Sequence, residues 1–359
     1  MKMIQLLPTI VVGDAVSNDA IALSGMIGKM GFETGIYAEN IDSRLRGRDG
    51  IFYAYEMPEL EDDDVIIYHA STGDVLNFSL PRKYGRKVLR YHNITPPEFF
   101  RGYSRSNMLR TEAGYRGMRF LKNHVDFGLA DSDYNRHDLR KMGYRCPIEV
   151  CPILIPLEDY AQEPDAKVVN RYAGDGWTNL LFVGRIAPNK KQEDVIRAFE
   201  AYQRKYQPKS RLFLVGSARE TEKYEAELKR LAADLGLADR VIFSGHVNFR
   251  EILAYYRLAD VFICMSAHEG FCVPLVEAMY FDKPIVARGT SAVPETLGDA
   301  GILLESSDPD KAAEAIHRIL EDEQLRARLS ESRKDRMESF SYETVSKRFQ
   351  TCMNRFLRE

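Results

Sequence analysis

NLLFVGRIAPNKKQEDVIRAF, residues 179–199, decides how this chain folds. An apolar run ends at Gly184, a loop carrying Arg185 and Lys190 follows, and Val195 and Phe199 then open a helical spacing that continues through Tyr202 and Tyr206. A short unbroken apolar run bounded by glycine suits a strand buried on both faces, and an amphipathic helix follows it. The pattern recurs: RLFLVG (211–216), RVIFSG (240–245), VFICMS (261–266), KPIVAR (283–288) and GILLE (301–305) are further runs, and Tyr224, Leu228, Leu231 and Leu235 mark another helix. This alternation predicts a parallel sheet with helices on both faces, the doubly wound α/β class.

The first half repeats it less cleanly. MIQLL (3–7), TGIYAE (34–39), VIIYHA (65–70), RKVLRYH (86–92), VDFGLA (125–130) and IEVCPI (148–153) read as strands, and Ala20, Leu23, Ile27 and Met30 as a helix stopped by Gly31. Periodicity is weakest between Ile155 and Trp177, where acidic, proline and glycine residues suit a linker. The expected organisation is a first domain over 1–165, a second over 166–340, and a terminal helix over 341–359, with Val345, Phe349 and Phe356 on one side, packing back on the first. Two open α/β sheets imply a cleft between them, with ligands at the carboxyl ends of the strands.

Composition narrows the function classes. A length of 359 residues, 45% apolar and 29% charged, fits two soluble domains, and a formal net charge of −3 argues against a nucleic-acid binder. Cys146, Cys151, Cys264, Cys272 and Cys352 form no Cys-x-x-Cys pair, so neither a disulfide framework nor a structural zinc site is expected. No apolar run approaches the ~20 residues of a membrane helix, and the opening MKMIQLLPTIVV lacks a secretory cleavage pattern, which together predict a cytoplasmic protein. Residues 82–145 are rich in arginine and lysine; they suit peripheral contact with an anionic membrane at its inner face or a phosphorylated acceptor, and equally an ordinary solvated face.

Chemistry concentrates after the strands. Arg185 and Lys190 project from one strand-end loop, as a phosphate site requires and as a solvated loop also allows. In HEGFCVPLVEAM (268–279), Pro274 predicts a helix starting near Val273, leaving the amides of Gly270, Phe271, Cys272 and Val273 free to meet an anion such as a diphosphate. Two like charges ~4 Å apart repel by about 4 kcal/mol at an effective dielectric near 20, so Glu269 and Glu277 should accept from neutral hydroxyls instead. A sugar nucleotide, with polyols on either side of a diphosphate, satisfies the whole arrangement; a helix-capping role for Glu277 is the plainer alternative. His69 and His92 end first-domain strands, where histidine is more often structural than catalytic. The Asp-x-Asp of EDDDV (61–65) precedes a strand and reads as a charged turn. TIVVGDAVSNDA (9–20) has only Gly13 where a dinucleotide fingerprint needs three glycines.

GRIAPNKKQEDVIRAF, FSGHV, SAHEGFCVPLVEAMYFDKPIVA and TSAVPETLGDAGILLE together resemble the retaining family-four glycosyltransferases of GT-B fold, particularly bacterial mannosyl- and glucosyltransferases of cell-surface polysaccharide assembly. The first-domain resemblance rests on DVIIYHAST, RKVLRYHNITP and VDFGLADSDYNRHDL. It implies two Rossmann-like domains facing each other across a cleft and transfer of a hexose from GDP-mannose or a UDP-sugar to a saccharide or lipid-linked acceptor, with retention and without a metal or other cofactor. By the same resemblance Arg185 and Lys190 hold the diphosphate, Glu269 the donor sugar and Glu277 the ribose. Backbone at Gly13, Gly184, Gly270, Phe271, Cys272 and Val273 lines the donor, backbone near Val247 meets the base, and His92 lies against the transferred sugar. Family members more often carry glycine where Cys272 stands. A sugar-nucleotide epimerase of the same fold and a non-catalytic sugar-nucleotide-binding protein are the rival readings.

Overall fold

A computed structural model of the chain describes residues 1–48 and 50–358. The chain forms two compact units: Met1–Glu98 with Ser106–Pro156 and Phe340–Glu359, and Phe99–Arg105 with Leu157–Ser339.

The first unit is built on a parallel sheet of β1 (Met3–Ile10), β2 (Ile36–Ile41), β3 (Ile51–Tyr53), β4 (Val65–Ala70), β5 (Arg86–Tyr91), β6 (Phe127–Ala130) and β7 (Ile148–Val150), in the order β3-β2-β1-β4-β5-β6-β7. The second holds β8 (Thr178–Val183), β9 (Ser210–Val215), β10 (Val241–Gly245), β11 (Val261–Cys264), β12 (Ile285–Arg288) and β13 (Ile302–Leu304), all parallel and ordered β10-β9-β8-β11-β12-β13. The strand order reverses once in each sheet, between β1 and β4 and between β8 and β11. Open α/β sheets bind ligands beyond the strand ends at such reversals. The loops after β8 and β11 are the ones that carry Arg185, Lys190 and Glu269.

Several elements differ from the sequence reading. The first strand does not stop at Leu7: Pro8 cannot donate to the ladder, yet Thr9 and Ile10 resume pairing with Asn40 and Ile41. Strand β3, three residues long, has no sequence signal. The division falls after Pro156 rather than 165, because Tyr160 packs against Phe249 and Tyr280 of the second unit and Arg257 donates to the Gln162 carbonyl at 3.0 Å. Phe99–Arg105 also belongs with the second unit: Tyr103 donates to Glu227 at 3.0 Å and meets the Tyr224 ring edge-on.

The cation-rich span 82–145 is not one solvated face. Arg90 is fully buried, and Arg86 lies over the Phe356 ring at 3.9 Å. The helix Arg105–Leu121 does present Arg105, Arg110, Arg116 and Arg119 to solvent beside exposed Leu109 and Phe120. Its inner face is small and polar over Asn107, Thr111, Gly114 and Gly117 and turns apolar only at Met118 and Leu121. Gly73 meets it so closely that a Cβ there would stand 2.4 Å from the Gly114 nitrogen. The helix Tyr342–Arg358 buries Val345, Phe349, Met353 and Phe356 in one cluster with Met3, Val65 and Phe127 of the first unit.

Candidate active site

The loop after β8 is held from three sides. Gly184 donates to the Val215 carbonyl at 2.9 Å, Ile186 to Ser217 at 3.0 Å, and Thr221 Oγ1 to the Ile186 carbonyl at 2.5 Å. A Cβ on Gly216 would lie 2.0 Å from the Gly184 oxygen, so only glycine lets the two strand ends approach. The Arg185 carbonyl accepts from Gln192 Nε2 at 2.8 Å, and the residue is exposed. One turn, Pro188–Lys190, then delivers Lys190 toward the next loop.

That loop follows β11. Ala267 donates to the Asn189 carbonyl at 2.9 Å and Asn189 Nδ2 to the His268 carbonyl at 3.2 Å, so one backbone bond and one side-chain bond stitch the two loops together. The stitching sets the Lys190 ammonium 2.7 Å from both oxygens of Glu269. Burial alone would push the lysine pKa down; the adjacent carboxylate outweighs it, and the pKa stands above the ordinary lysine value. Glu269 is held from behind, its amide donating to Ser291 Oγ at 2.8 Å.

The helix Val273–Tyr280 begins where Pro274 requires, with Pro274 in its first turn. Its cap residue Cys272 has φ 75° and ψ 64°, a left-handed conformation natural to glycine and rare for other residues. Gly270 and Phe271 precede it, and the Phe271 carbonyl accepts from Thr296 Oγ1 at 2.5 Å. Glu277, one turn into the helix, accepts from Tyr160 and Tyr256 hydroxyls at 2.6 Å each. Burial raises its pKa, and the two hydroxyls, which favour the ionised form, hold back part of that rise. Val247 is half-buried in the turn between β10 and the helix Phe249–Leu258.

The charge sorting expected from sequence therefore takes a particular form. Glu277 accepts from neutral hydroxyls, and they are the protein's own. Glu269 instead faces a cation. Neither tyrosine has a sequence signal, because Tyr160 lies 117 positions from Glu277 and Tyr256 lies 21.

In the first unit, Gly13 turns the chain after β1 with φ 80° and is exposed. His92 follows β5 with its side chain only 2% exposed. Its Nδ1 lies 2.9 Å from Asp131 and its Nε2 2.9 Å from His69 Nδ1, while His69 Nε2 lies 2.9 Å from Gln5 Oε1. Gln5 is oriented by donating Nε2 to the Ala20 carbonyl at 2.8 Å, which leaves Oε1 to accept from His69. With His69 Nε2 donating to Gln5, His69 Nδ1 is left to accept from His92 Nε2. Burial holds the His69 pKa well below the ordinary value, reinforced by the neighbouring His92 and Arg90. Arg90 completes the cluster: it pairs with Asp19 at 2.9 Å, approaches Asp131 at 3.3 Å and donates to the carbonyls of Cys151 and Pro152. Asp19, Arg90, His92 and Asp131 thus share one buried network. His92 is held by this network on both ring nitrogens, and Asp19, Gln5, Arg90 and Asp131 are the partners that sequence reasoning missed.

Residues 174–336 match the family described as Glycosyl transferases group 1. The chain is 28% identical over 217 residues to the GDP-mannose-dependent alpha-(1-6)-phosphatidylinositol monomannoside mannosyltransferase of Mycolicibacterium smegmatis, covering 57% of this chain and 56% of that protein. It is 25% identical over 275 residues to O-antigen chain mannosyltransferase B of Escherichia coli, covering 74% and 68% respectively. The chain thus spans little more than half the length of the first of these relatives. Among solved structures it superposes on sucrose-phosphate synthase of Thermosynechococcus elongatus with a TM-score of 0.78 at 16% identity, covering 100% of both chains. Anabaena HepE in complex with UDP and glucose gives 0.74 at 18%, covering 99% of this chain and 100% of that one. Both likenesses concern the fold. The second unit is thereby similar to the group 1 glycosyl transferases over residues 174–336, in a chain with the two-sheet α/β fold of the GT-B class.

Proposed function

We propose that the chain is a retaining glycosyltransferase that moves a hexose from a nucleoside-diphosphate sugar, GDP-mannose or a UDP-sugar, to a saccharide or lipid-linked acceptor without needing a metal. The single observation carrying this reading is the convergence of Lys190, Glu269 and the start of the helix Val273–Tyr280 beyond the β8–β11 reversal, with Arg185 on the same loop as Lys190. A lysine, an arginine and a helix N-terminus supply positive potential to a departing diphosphate, the electrostatic task a metal performs in other transferases. Glu269 accepts from the donor sugar, Glu277 from the ribose, and the amides of Gly270, Phe271, Cys272 and Val273 face sugar and phosphate. Gly184 lets the β8 loop turn close to the donor, and Val247 lies beside the base. Gly13 and His92 act from the first unit, His92 in the orientation its buried network fixes.

Mannose in the names of two relatives makes GDP-mannose the first donor to test, and UDP in a solved relative of the same fold makes UDP-glucose the second. Incubation with labelled donors, with and without a panel of mannosides and lipid-linked saccharides, tests the proposal. Transfer with retained anomeric configuration in the presence of EDTA supports it. Epimerisation of donor alone, or tight binding with no turnover on any acceptor, replaces it. The exposed face of Arg105–Leu121 supports acceptor delivery from an anionic membrane surface, since basic residues flanking exposed Leu109 and Phe120 combine both attractions such a surface offers. Among the described residues no helix is long and apolar enough to cross a membrane.

A further inference from the structure

Cys264 closes β11 and Cys272 caps the helix Val273–Tyr280, and their sulfurs lie 3.9 Å apart. Both thiols are buried, at 2% and 6% exposure, with Glu269 at 7%. One ligand atom from each of the three lies within 4.8 Å of the others. Neither thiol has a part in the transfer proposed above, although both sit at its centre.

We infer that Cys264, Cys272 and Glu269 bind one soft divalent cation of the zinc class, and that its binding takes one of the two Glu269 oxygens away from Lys190. The sulfur spacing supports a metal over a disulfide. A disulfide needs its sulfurs at about 2.05 Å. Two zinc–sulfur bonds of about 2.3 Å at a tetrahedral angle set the sulfurs about 3.8 Å apart. The thiols stand at the second spacing.

Charge supports it as well. As the cation enters, two metal–sulfur bonds and one metal–oxygen bond form, both thiol protons leave to solvent, and Lys190 releases the oxygen that turns to the metal. A dication replaces two protons, so the buried cluster of two sulfurs, Glu269 and Lys190 keeps its net charge, and no uncompensated charge is buried. The Cys264 contact and burial hold the Cys272 thiol well above its ordinary pKa, and the Lys190 charge offsets part of that rise. Ser266 Oγ, 3.4 Å from the Cys264 sulfur, can turn its hydrogen toward that thiolate, the kind of outer contact that fixes a ligand. Lys190, 21% exposed, marks the way in. Three protein ligands leave a fourth position open.

The consequence is inhibition by metal: an occupied site diverts Glu269 and sets a dication beside Lys190. That consequence rests on the donor reading above; cation binding itself does not. The reduced, EDTA-treated full-length protein is titrated with cadmium, reading the ultraviolet thiolate-to-cadmium band, and with zinc, reading released protons. Wild type is compared with Cys264→Ser, Cys272→Gly and the double variant. Cys272→Gly is a safe variant because its backbone conformation is one glycine adopts freely. The expected result is one equivalent bound with two protons released, and a loss of at least about tenfold in affinity in each single variant. Equal affinity in all four proteins overturns the inference. So does a reduced wild type that takes up no cation yet loses these two thiols together on mild diamide oxidation, which would make the pair a disulfide site. Zinc should also raise the Kd for a nucleoside-diphosphate sugar, whose sugar loses Glu269, about tenfold or more in wild type and leave the double variant unmoved. If no nucleotide binds to either protein, the donor reading fails while the cadmium titration still decides the cation site.

Discussion

Lys190 and Glu269, 79 positions apart in the chain, meet end to end, the lysine nitrogen lying 2.7 Å from each carboxylate oxygen. Glu269 is almost wholly buried and Lys190 retains 21% exposure, so the pair lies between a surface ion pair and a core one. Removing one partner strands the other. A fully buried pair loses about 3–5 kcal/mol on such removal, and the exposure of Lys190 reduces that to roughly 1–3. Lys190→Met and Glu269→Gln should therefore be strongly non-additive. Urea denaturation of the two single variants and the double checks this, with a coupling energy of about 1–3 kcal/mol expected. Independent effects would mean that the pair does not form in solution.

Arg185→Ala should weaken nucleoside diphosphate binding about 10- to 150-fold, the range of one charge-assisted hydrogen bond worth about 1.5–3 kcal/mol, while leaving the melting curve unmoved. Isothermal titration with GDP and UDP reads both arms. Unchanged affinity removes Arg185 from the phosphate site.

For Glu277 the discriminating ligand is a dideoxyribose analogue. Glu277→Gln should weaken ordinary nucleotides while barely changing the analogue's affinity, because the analogue lacks the hydroxyls the carboxylate receives. Equal loss for both would assign Glu277 to its tyrosines alone.

Those tyrosines give a pH signature. The Glu277 pKa is raised, so its folded value lies above its unfolded one; the contribution of this group is most favourable below the unfolded value and diminishes as pH rises through the folded one. The Tyr160 hydroxyl offsets that loss by bonding to the ionised form. Tyr160→Phe should consequently cost more stability at pH 7 than at pH 4, by about 1 kcal/mol, the difference between a charge-assisted and a neutral hydrogen bond. Urea midpoints at the two pH values test the sign.

His92→Ala removes the centre of the Asp131–His92–His69 chain and leaves Asp131 without its ring partner in a buried setting. Slower turnover is expected with donor affinity kept, and stability of the first unit should fall by about 1–3 kcal/mol. Measuring kcat, KM and the melting profile together separates the two effects. Normal turnover at full stability would exclude His92 from the reaction.

How far the sequence could be read depends on where each signal lay. Strands β8 to β13 are short continuous apolar runs, and Pro274 announces the start of its helix, so the second unit and the approach of Arg185, Lys190 and Glu269 to one strand-end region follow from local pattern. The partners do not. Tyr160 stands in a stretch whose acidic and proline content reads as linker, and nothing local tells that its hydroxyl meets Glu277. The His92 network draws Gln5, Asp19, His69, Arg90 and Asp131 from five separate elements, and a buried arginine looks in sequence like any surface cation. The helix Arg105–Leu121 hides for another reason: four of its buried residues, Asn107, Thr111, Gly114 and Gly117, are small or polar, and Met118 and Leu121 at its end are too few to set an apolar period.

The C-terminal helix Tyr342–Arg358 carries a consequence for synthesis. Its Phe349, Met353 and Phe356 fill the same core as Met3, Val65 and Phe127, so that core is incomplete when the ribosome has already delivered every residue of the second unit. The later-made unit can finish folding first, while the earlier-made one waits, part of its apolar interior uncovered, for the last turns of helix to leave the exit tunnel.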